Sequence, residues 1–192
     1  METTRAFVAV FAPPDVAARI AAVLEALRAP GDGVSWVRAT NLHYTMRFLG
    51  DLSDRQVEAA RRAASQAARG TAPFRLVLGA QGMFPNSKQP RVLWLGALDG
   101  ADALVALATR LEVALGDERF PPADKPFAPH LTVGRVRDRA DAGAVGLRFA
   151  AAEFPEGESF EVGDLVLVRS TLAAGGSRYE TIARYSLSED AD

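Results

Sequence analysis

Apolar residues follow two rhythms along this chain. Runs rich in β-branched and aromatic side chains read as strands: Arg5–Phe11 (RAFVAVF), Asn41–Gly50 (NLHYTMRFLG), Phe74–Ala80, Arg91–Gly96 (RVLWLG) and Phe127–Val136. Between them apolar positions return every three or four residues, the spacing of an amphipathic helix. Val16, Ile20, Val23, Leu24 and Leu27 mark a first helix that starts near Asp15 and is stopped by Pro30-Gly31. Ser53 or Asp54 caps a second helix reaching about Arg69, and Leu104, Leu107, Leu111 and Leu115 set the face of a third over Ala101–Leu115. Val34–Arg38 reads as a short strand or an extended loop. Gln81–Pro90, with Gly82, Pro85, Asn86 and Pro90, reads as a loop fit to act as a flap over a site. Pro121, Pro122 and Pro126 impose an irregular connection. Two last strands, around Glu161–Ser170 and Tyr179–Leu187, are joined through Ala173–Ser177, and Asp190–Asp192 is expected to fray.

These pieces repeat. A strand from Arg5, a helix and a strand holding His43 are followed by a strand from Arg91, a helix and a strand holding His130. The offsets, 86 residues between the arginines and 87 between the histidines, nearly agree. The expected fold is α+β: two pseudo-symmetric lobes, each a sheet with helices on its outer face, packed around a central cleft as one domain over residues 1–192. A chain of 192 residues, 48% hydrophobic, is long enough for such a core. The net charge of −2 excludes a broad basic face for gripping a long duplex, so any nucleic-acid contact is expected to be short and local. The absence of cysteine excludes disulfides, thiolate metal sites and a cysteine nucleophile. With no long apolar span and no export signal, the expectation is a cytoplasmic monomer that does not enter membranes.

The chain has only two histidines, and each is followed two positions later by threonine: His43-Tyr44-Thr45-Met46 and His130-Leu131-Thr132-Val133. With threonine at about one residue in twenty, two accidental matches have odds of about one in 400. Residues i and i+2 share one face of a strand, so each motif presents an imidazole beside a hydroxyl, while Leu42, Tyr44, Met46, Leu131 and Val133 face away. In-line displacement at phosphorus calls for such a pair: one group deprotonates the nucleophile as another protonates the leaving oxygen on the opposite side. A pKa near 6.5 lets one imidazole start neutral and the other charged, and the hydroxyls can donate to non-bridging phosphoryl oxygens. No acidic residue lies within either motif, which makes a poor cage for a divalent ion, so neither metal nor other cofactor is expected. Arg135 faces away from His130 in a continuous strand; a bend at Gly134 would turn it towards a phosphate, and otherwise it is a surface arginine. Arg47 shares the face of His43 and Thr45, as a phosphate clamp or as one half of an ordinary ion pair.

NLHYTMRFLG, RVLWLG and FAPHLTVGR, together with the opening RAFVAV, Trp36-Val37 and the closing Ser170, Leu172 and Tyr179, resemble the blocks of the bacterial and archaeal RNA 2′,3′-cyclic phosphodiesterases, the 2′-5′ RNA ligase-like family of the two-histidine phosphoesterases. The resemblance implies the bilobal fold inferred above. It assigns His43 as proton donor to the departing 3′ oxygen, His130 as the base that activates water, Thr45, Thr132 and Arg135 as phosphate ligands, and a 2′-phosphate as product. The implied partners are RNA ends carrying a 2′,3′-cyclic phosphate, tRNA halves among them, or small cyclic nucleotides. Two further enzymatic outcomes stay open, 2′-5′ ligation and opening of cyclic phosphates on small nucleotides. A non-catalytic RNA-end-binding module is the rival of a different class.

Overall fold

In the computed structural model, which describes residues 3–137, 141–173 and 176–189, nine strands form one antiparallel sheet. The strands are β1 (Thr4–Phe11), β2 (Val34–Trp36), β3 (His43–Leu52), β4 (Phe74–Phe84), β5 (Val92–Asp99), β6 (Leu131–Val136), β7 (Ser159–Val162), β8 (Asp164–Ala173) and β9 (Gly176–Ser186). The order β7-β4-β5-β6-β3-β1-β8-β9, with β2 on β6, divides into two lobes. One holds β1, β3, β8 and β9, the other β4 to β7, and β3 meets β6 through the single pair Tyr44 and Leu131. Those two residues each follow a histidine, so the pseudo-twofold axis runs between the two motifs. Gly163 alone separates β7 from β8, which lie near opposite ends of the strand order, so the sheet has to curl.

Four helices, α1 (Pro14–Leu27), α2 (Asp54–Arg69), α3 (Ala101–Asp117) and α4 (Ala142–Ala150), complete the described fold. Ser53 caps α2, its N–H donating to Gln56 Oε1 at 2.9 Å. The buried stripe of α2 is all alanine, Ala59, Ala60, Ala63, Ala64, Ala67 and Ala68, and small side chains let it approach α3 and the sheet closely. Helix α3 buries Leu104, Leu107, Leu111 and Leu115, as its spacing predicts. β1 is apolar on both faces because both are covered. Ala6, Val8 and Val10 join the main core with the helices, while Phe7 and Ala9 pack with Val166 and Val168 on the opposite face. No helix among the described residues is long and apolar enough to cross a membrane.

Several boundaries differ from the sequence reading. Gly50 does not end β3; it pairs with Ala6 and the strand runs on to Leu52. The expected loop over Gln81–Pro90 is half strand, since Gln81 to Phe84 pair with Leu95 to Val92. Gly82 is required there by packing, not by a turn: a Cβ would lie 2.2 Å from the Trp94 ring. Gly82→Val is therefore expected to lower stability by about 1–3 kcal/mol through overpacking, measurable by denaturant unfolding; an unchanged midpoint would show that the Trp94 ring moves aside freely. The rest of the expected flap leans on α4, where a Cβ at Gly146 would meet the Ser87 carbonyl at 2.7 Å. Phe127–His130, read as strand, is not, because Pro126 and Pro129 flank a segment without ladder bonds. The run read as Glu161–Ser170 is split at Gly163 between two lobes. Helix α4 was not anticipated. Residues Asp190–Asp192, expected to fray, lie outside the described residues.

Candidate active site

Both histidines are held in the same way. His43 Nδ1 lies 2.7 Å from the Asn41 carbonyl, and His130 Nδ1 lies 2.7 Å from the Ala128 carbonyl, each two residues upstream. A carbonyl can only accept, so Nδ1 carries the proton in both rings and Nε2 is the nitrogen left for chemistry. In His43, Nε2 meets Thr45 Oγ1 at 2.9 Å. With the proton fixed on Nδ1 of a neutral ring, the Thr45 hydroxyl is the donor in that contact.

The strands also break register at the same place. Thr45 pairs with Ala9 and Arg47 with Val8, so Met46 is an extra residue in β3. Thr132 pairs with Trp94 and Gly134 with Leu93, so Val133 is an extra residue in β6. A bulge of this kind reverses which face the following residues take. On β6 it returns Arg135, paired with Val92, to the face of Thr132, so the inserted residue, not a bend at Gly134, aims Arg135 into the cleft. On β3 the same device overturns the expectation for Arg47. Its guanidinium leaves the face of His43 and Thr45, and Nε sits 2.8 Å from Glu112 Oε1 on α3 while Nη2 donates to the Pro121 carbonyl at 2.5 Å. Of the two readings of Arg47, the geometry matches the ion pair. The cleft-facing counterpart of Arg135 is Phe48, which pairs with Phe7 and carries the Arg5 guanidinium over its ring at 4.6 Å.

The two imidazoles differ in environment. His43 is enclosed by Phe7, Phe11 and Tyr179, with ring centroids at 4.9, 5.3 and 5.4 Å. This burial drives its pKa down to about 4, against the pull of the Asn41 carbonyl, and the positive charges of Arg135 and His130 push the same way. His130 is half-buried, with Phe84 edge-on at 5.4 Å and Phe84 stacked against Trp94 at 4.9 Å. Arg135 and His130, in the other lobe, lie near enough for positive charge on them to act on His43. Sequence reasoning singled out the histidines, threonines and Arg135, but not the aromatic box around His43. Its signal was present: in an antiparallel pair Phe11 stands opposite His43, so Phe7, Ala9 and Phe11 share the face of that ring.

Comparison with known proteins points to one family. Residues 12–173 match the model of the 2′-5′ RNA ligase superfamily. An RNA 2′,3′-cyclic phosphodiesterase of Aquifex aeolicus is 33% identical over 97% of this chain and 99% of its own, and one of Thermus thermophilus is 35% identical over 95% of this chain and 90% of its own. Among solved structures, Escherichia coli LigT complexed with 3′-AMP superposes with a TM-score of 0.76 at 28% identity, covering 97% of this chain and 99% of that one. Matched along most of its length in sequence and architecture, the chain belongs to the 2′-5′ RNA ligase superfamily.

Proposed function

We propose that this protein is an RNA 2′,3′-cyclic phosphodiesterase that opens the terminal cyclic phosphate to a 2′-phosphate by metal-independent general acid-base catalysis. The observation that carries the reading is the matched pair of imidazoles at the heads of two pseudo-symmetric strands, His43 opening β3 and His130 just before β6, each locked by the carbonyl two residues before it so that Nε2 is left for the substrate. Relatives bearing that activity as their name, over nearly the whole chain, support the same reading. A cyclic phosphate seated between Thr45, Thr132 and Arg135 would be approached by Nε2 from either side. Water attacks phosphorus as His130 Nε2 takes its proton. The P–O3′ bond breaks, and O3′ leaves with a proton from His43 Nε2, giving a 3′-hydroxyl and a 2′-phosphate.

The pKa of His43 constrains this scheme. At about 4 in the free protein, His43 is neutral at pH 7 and has no proton to give from Nε2. The substrate supplies the remedy. An anion beside Arg135 cancels the repulsion of that guanidinium and pairs with the imidazolium, so a proton is taken up together with the phosphate. The neutral resting state of His43 favours a second reading, with the roles exchanged and His43 as the base. A cyclic phosphate whose 3′ bridging oxygen is replaced by sulfur separates the two, because a thiolate leaves without protonation. His43→Ala is expected to recover most of its lost rate on this substrate and His130→Ala to recover none; the opposite pattern would exchange the roles.

A further inference from the structure

β3 and β6 run antiparallel from the pair Tyr44 and Leu131, so β6 leads past His43 and away from His130. Beyond Thr132 its exposed face carries Arg135, opposite Ser35 of β2, and then Arg137, whose N–H donates to the Gly33 carbonyl at 2.8 Å. Residues two apart on a strand share a face. The side chains agree with that register: Arg137 Nε donates to Ser35 Oγ at 3.0 Å, while the alternate positions Val34, Gly134 and Val136 are buried. Ser35 is itself held in place. On either side of it Asp32 accepts from the Val34 N–H at 2.9 Å and from Trp36 Nε1 at 3.1 Å, and the same carboxylate pairs with Arg148 of α4 at 3.1 Å. Among the described residues neither Arg135 nor Arg137 has a carboxylate partner, unlike Arg47 and Arg148.

Two like charges held on one face with no acid between them repel, and an anion shared by that face offsets the repulsion. The proposed reaction seats the cyclic phosphate at Arg135. Arg137 stands two residues on, about 6.5–7 Å along the strand, close to the separation of successive phosphates in one nucleic-acid chain. Its Nε is engaged by Ser35, which leaves the Nη groups as donors for phosphate oxygens. The direction fits as well. The leaving O3′ belongs to the terminal ribose, and in-line geometry sets it on the side of phosphorus facing the proton donor, His43. The ribose and its 5′ linkage then lie on the side to which β6 leads. We infer that Arg137, oriented by Ser35, binds the phosphodiester that joins the terminal nucleotide to the rest of the RNA, and so distinguishes an RNA end from a nucleoside cyclic phosphate. The inference rests on the hydrolytic reading and on the assignment of His43 as proton donor. It calls for one upstream phosphate and no long track, as suits a protein of net charge −2.

The test compares two diadenosine dinucleotides that end in the same 2′,3′-cyclic phosphate and carry a 2′-O-methyl group on the first residue. One is joined by a phosphodiester, the other by a neutral methylphosphonate, so only the upstream charge differs. The wild type is expected to prefer the phosphodiester in kcat/KM by roughly tenfold, as one charge-assisted bond implies, chiefly through KM. Arg137 is exposed at the end of its strand, so its replacement should leave folding intact. Arg137→Met is expected to bring the ratio near one, and Arg137→Glu to invert it. On the phosphodiester compound, the dependence of log kcat/KM on log salt should lose about 0.7 of its slope in Arg137→Met, the share of one phosphate contact on a single strand. Ser35→Ala, which releases the guanidinium without removing its charge, is expected to lower the preference through KM and to keep kcat. A wild-type ratio near one, or a ratio unchanged in both Arg137 variants, would overturn the assignment. Failure of the wild type to open either dinucleotide or a longer RNA cyclic phosphate would instead overturn the hydrolytic reading beneath it.

Discussion

His130→Ala is expected to lower kcat on an RNA 2′,3′-cyclic phosphate by about 10²- to 10⁴-fold, the contribution of one positioned proton-transfer group, without measurable loss of stability. His130 meets one aromatic ring, that of Phe84, where His43 meets three. His43→Ala is expected to lose rate to a similar degree but also to unfold at lower temperature, because the ring fills the space between Phe7, Phe11 and Tyr179. His43→Gln, which better keeps the volume, separates the two effects. The double variant is expected to be little worse than the worse single one, since the two groups act in one step. His43 also ties stability to pH. Its folded pKa of about 4 lies below its unfolded value of 6.5, so the unfolded chain binds the extra proton between those values. The resulting contribution is complete above pH 6.5 and lost as pH falls towards 4, about 3 kcal/mol in all. Denaturant unfolding across that range, wild type against His43→Gln, reads it directly: the variant should show the shallower decline, and parallel curves would show that His43 is not desolvated as described.

Arg135→Met is the second large effect. It removes a guanidinium that the Val133 bulge turns to the face of Thr132, where the proposed reaction seats the phosphate; charge-assisted bonds contribute about 1.5–3 kcal/mol, so kcat/KM should fall by roughly 10- to 150-fold. The same change has a second signature that a purely structural role would not produce. Arg135 is one of the positive charges holding down the proton affinity of His43, so its removal should raise the His43 pKa from about 4. A titration of the His43 ring resonances by NMR measures this. An unchanged His43 titration with unchanged kinetics would place Arg135 outside the site. Arg47→Met, by contrast, should act on stability through the lost Glu112 contact and leave the His43 titration where it is.

Much of this was legible in the sequence because the repeat is in the chemistry as well as in the fold. Two histidines, each with a threonine two places on and 87 residues apart, singled out a candidate site before any coordinate did. The β1-α1-β3 and β5-α3-β6 units followed from hydrophobic rhythm, since strands covered on both faces and leucine-striped helices are strong signals. What escaped was set by non-local geometry. Period-two reasoning assumes an unbroken ladder, so the inserted Met46 and Val133 put Arg47 and Arg135 on the faces opposite to those an unbroken strand would give. Helix α4, with glycine at 143 and 146, lacks helix-forming bias because Gly146 is there to admit the Ser87 backbone. Gly82 read as a turn residue although its role is to receive the Trp94 ring. The depressed proton affinity of His43 depends on Tyr179, a residue 136 positions away that only the curl of the sheet brings to it.

The central claim is hydrolysis of a terminal cyclic phosphate by two imidazoles without metal, and ³¹P NMR tests it most directly. Purified protein would be incubated in chelator and ¹⁸O-labelled water with a short RNA ending in a 2′,3′-cyclic phosphate. The account predicts quantitative conversion of the cyclic-phosphate resonance to a 2′-monoester carrying one solvent oxygen. Formation of a 3′-phosphate, or turnover that returns only when a divalent ion is added back, would contradict it.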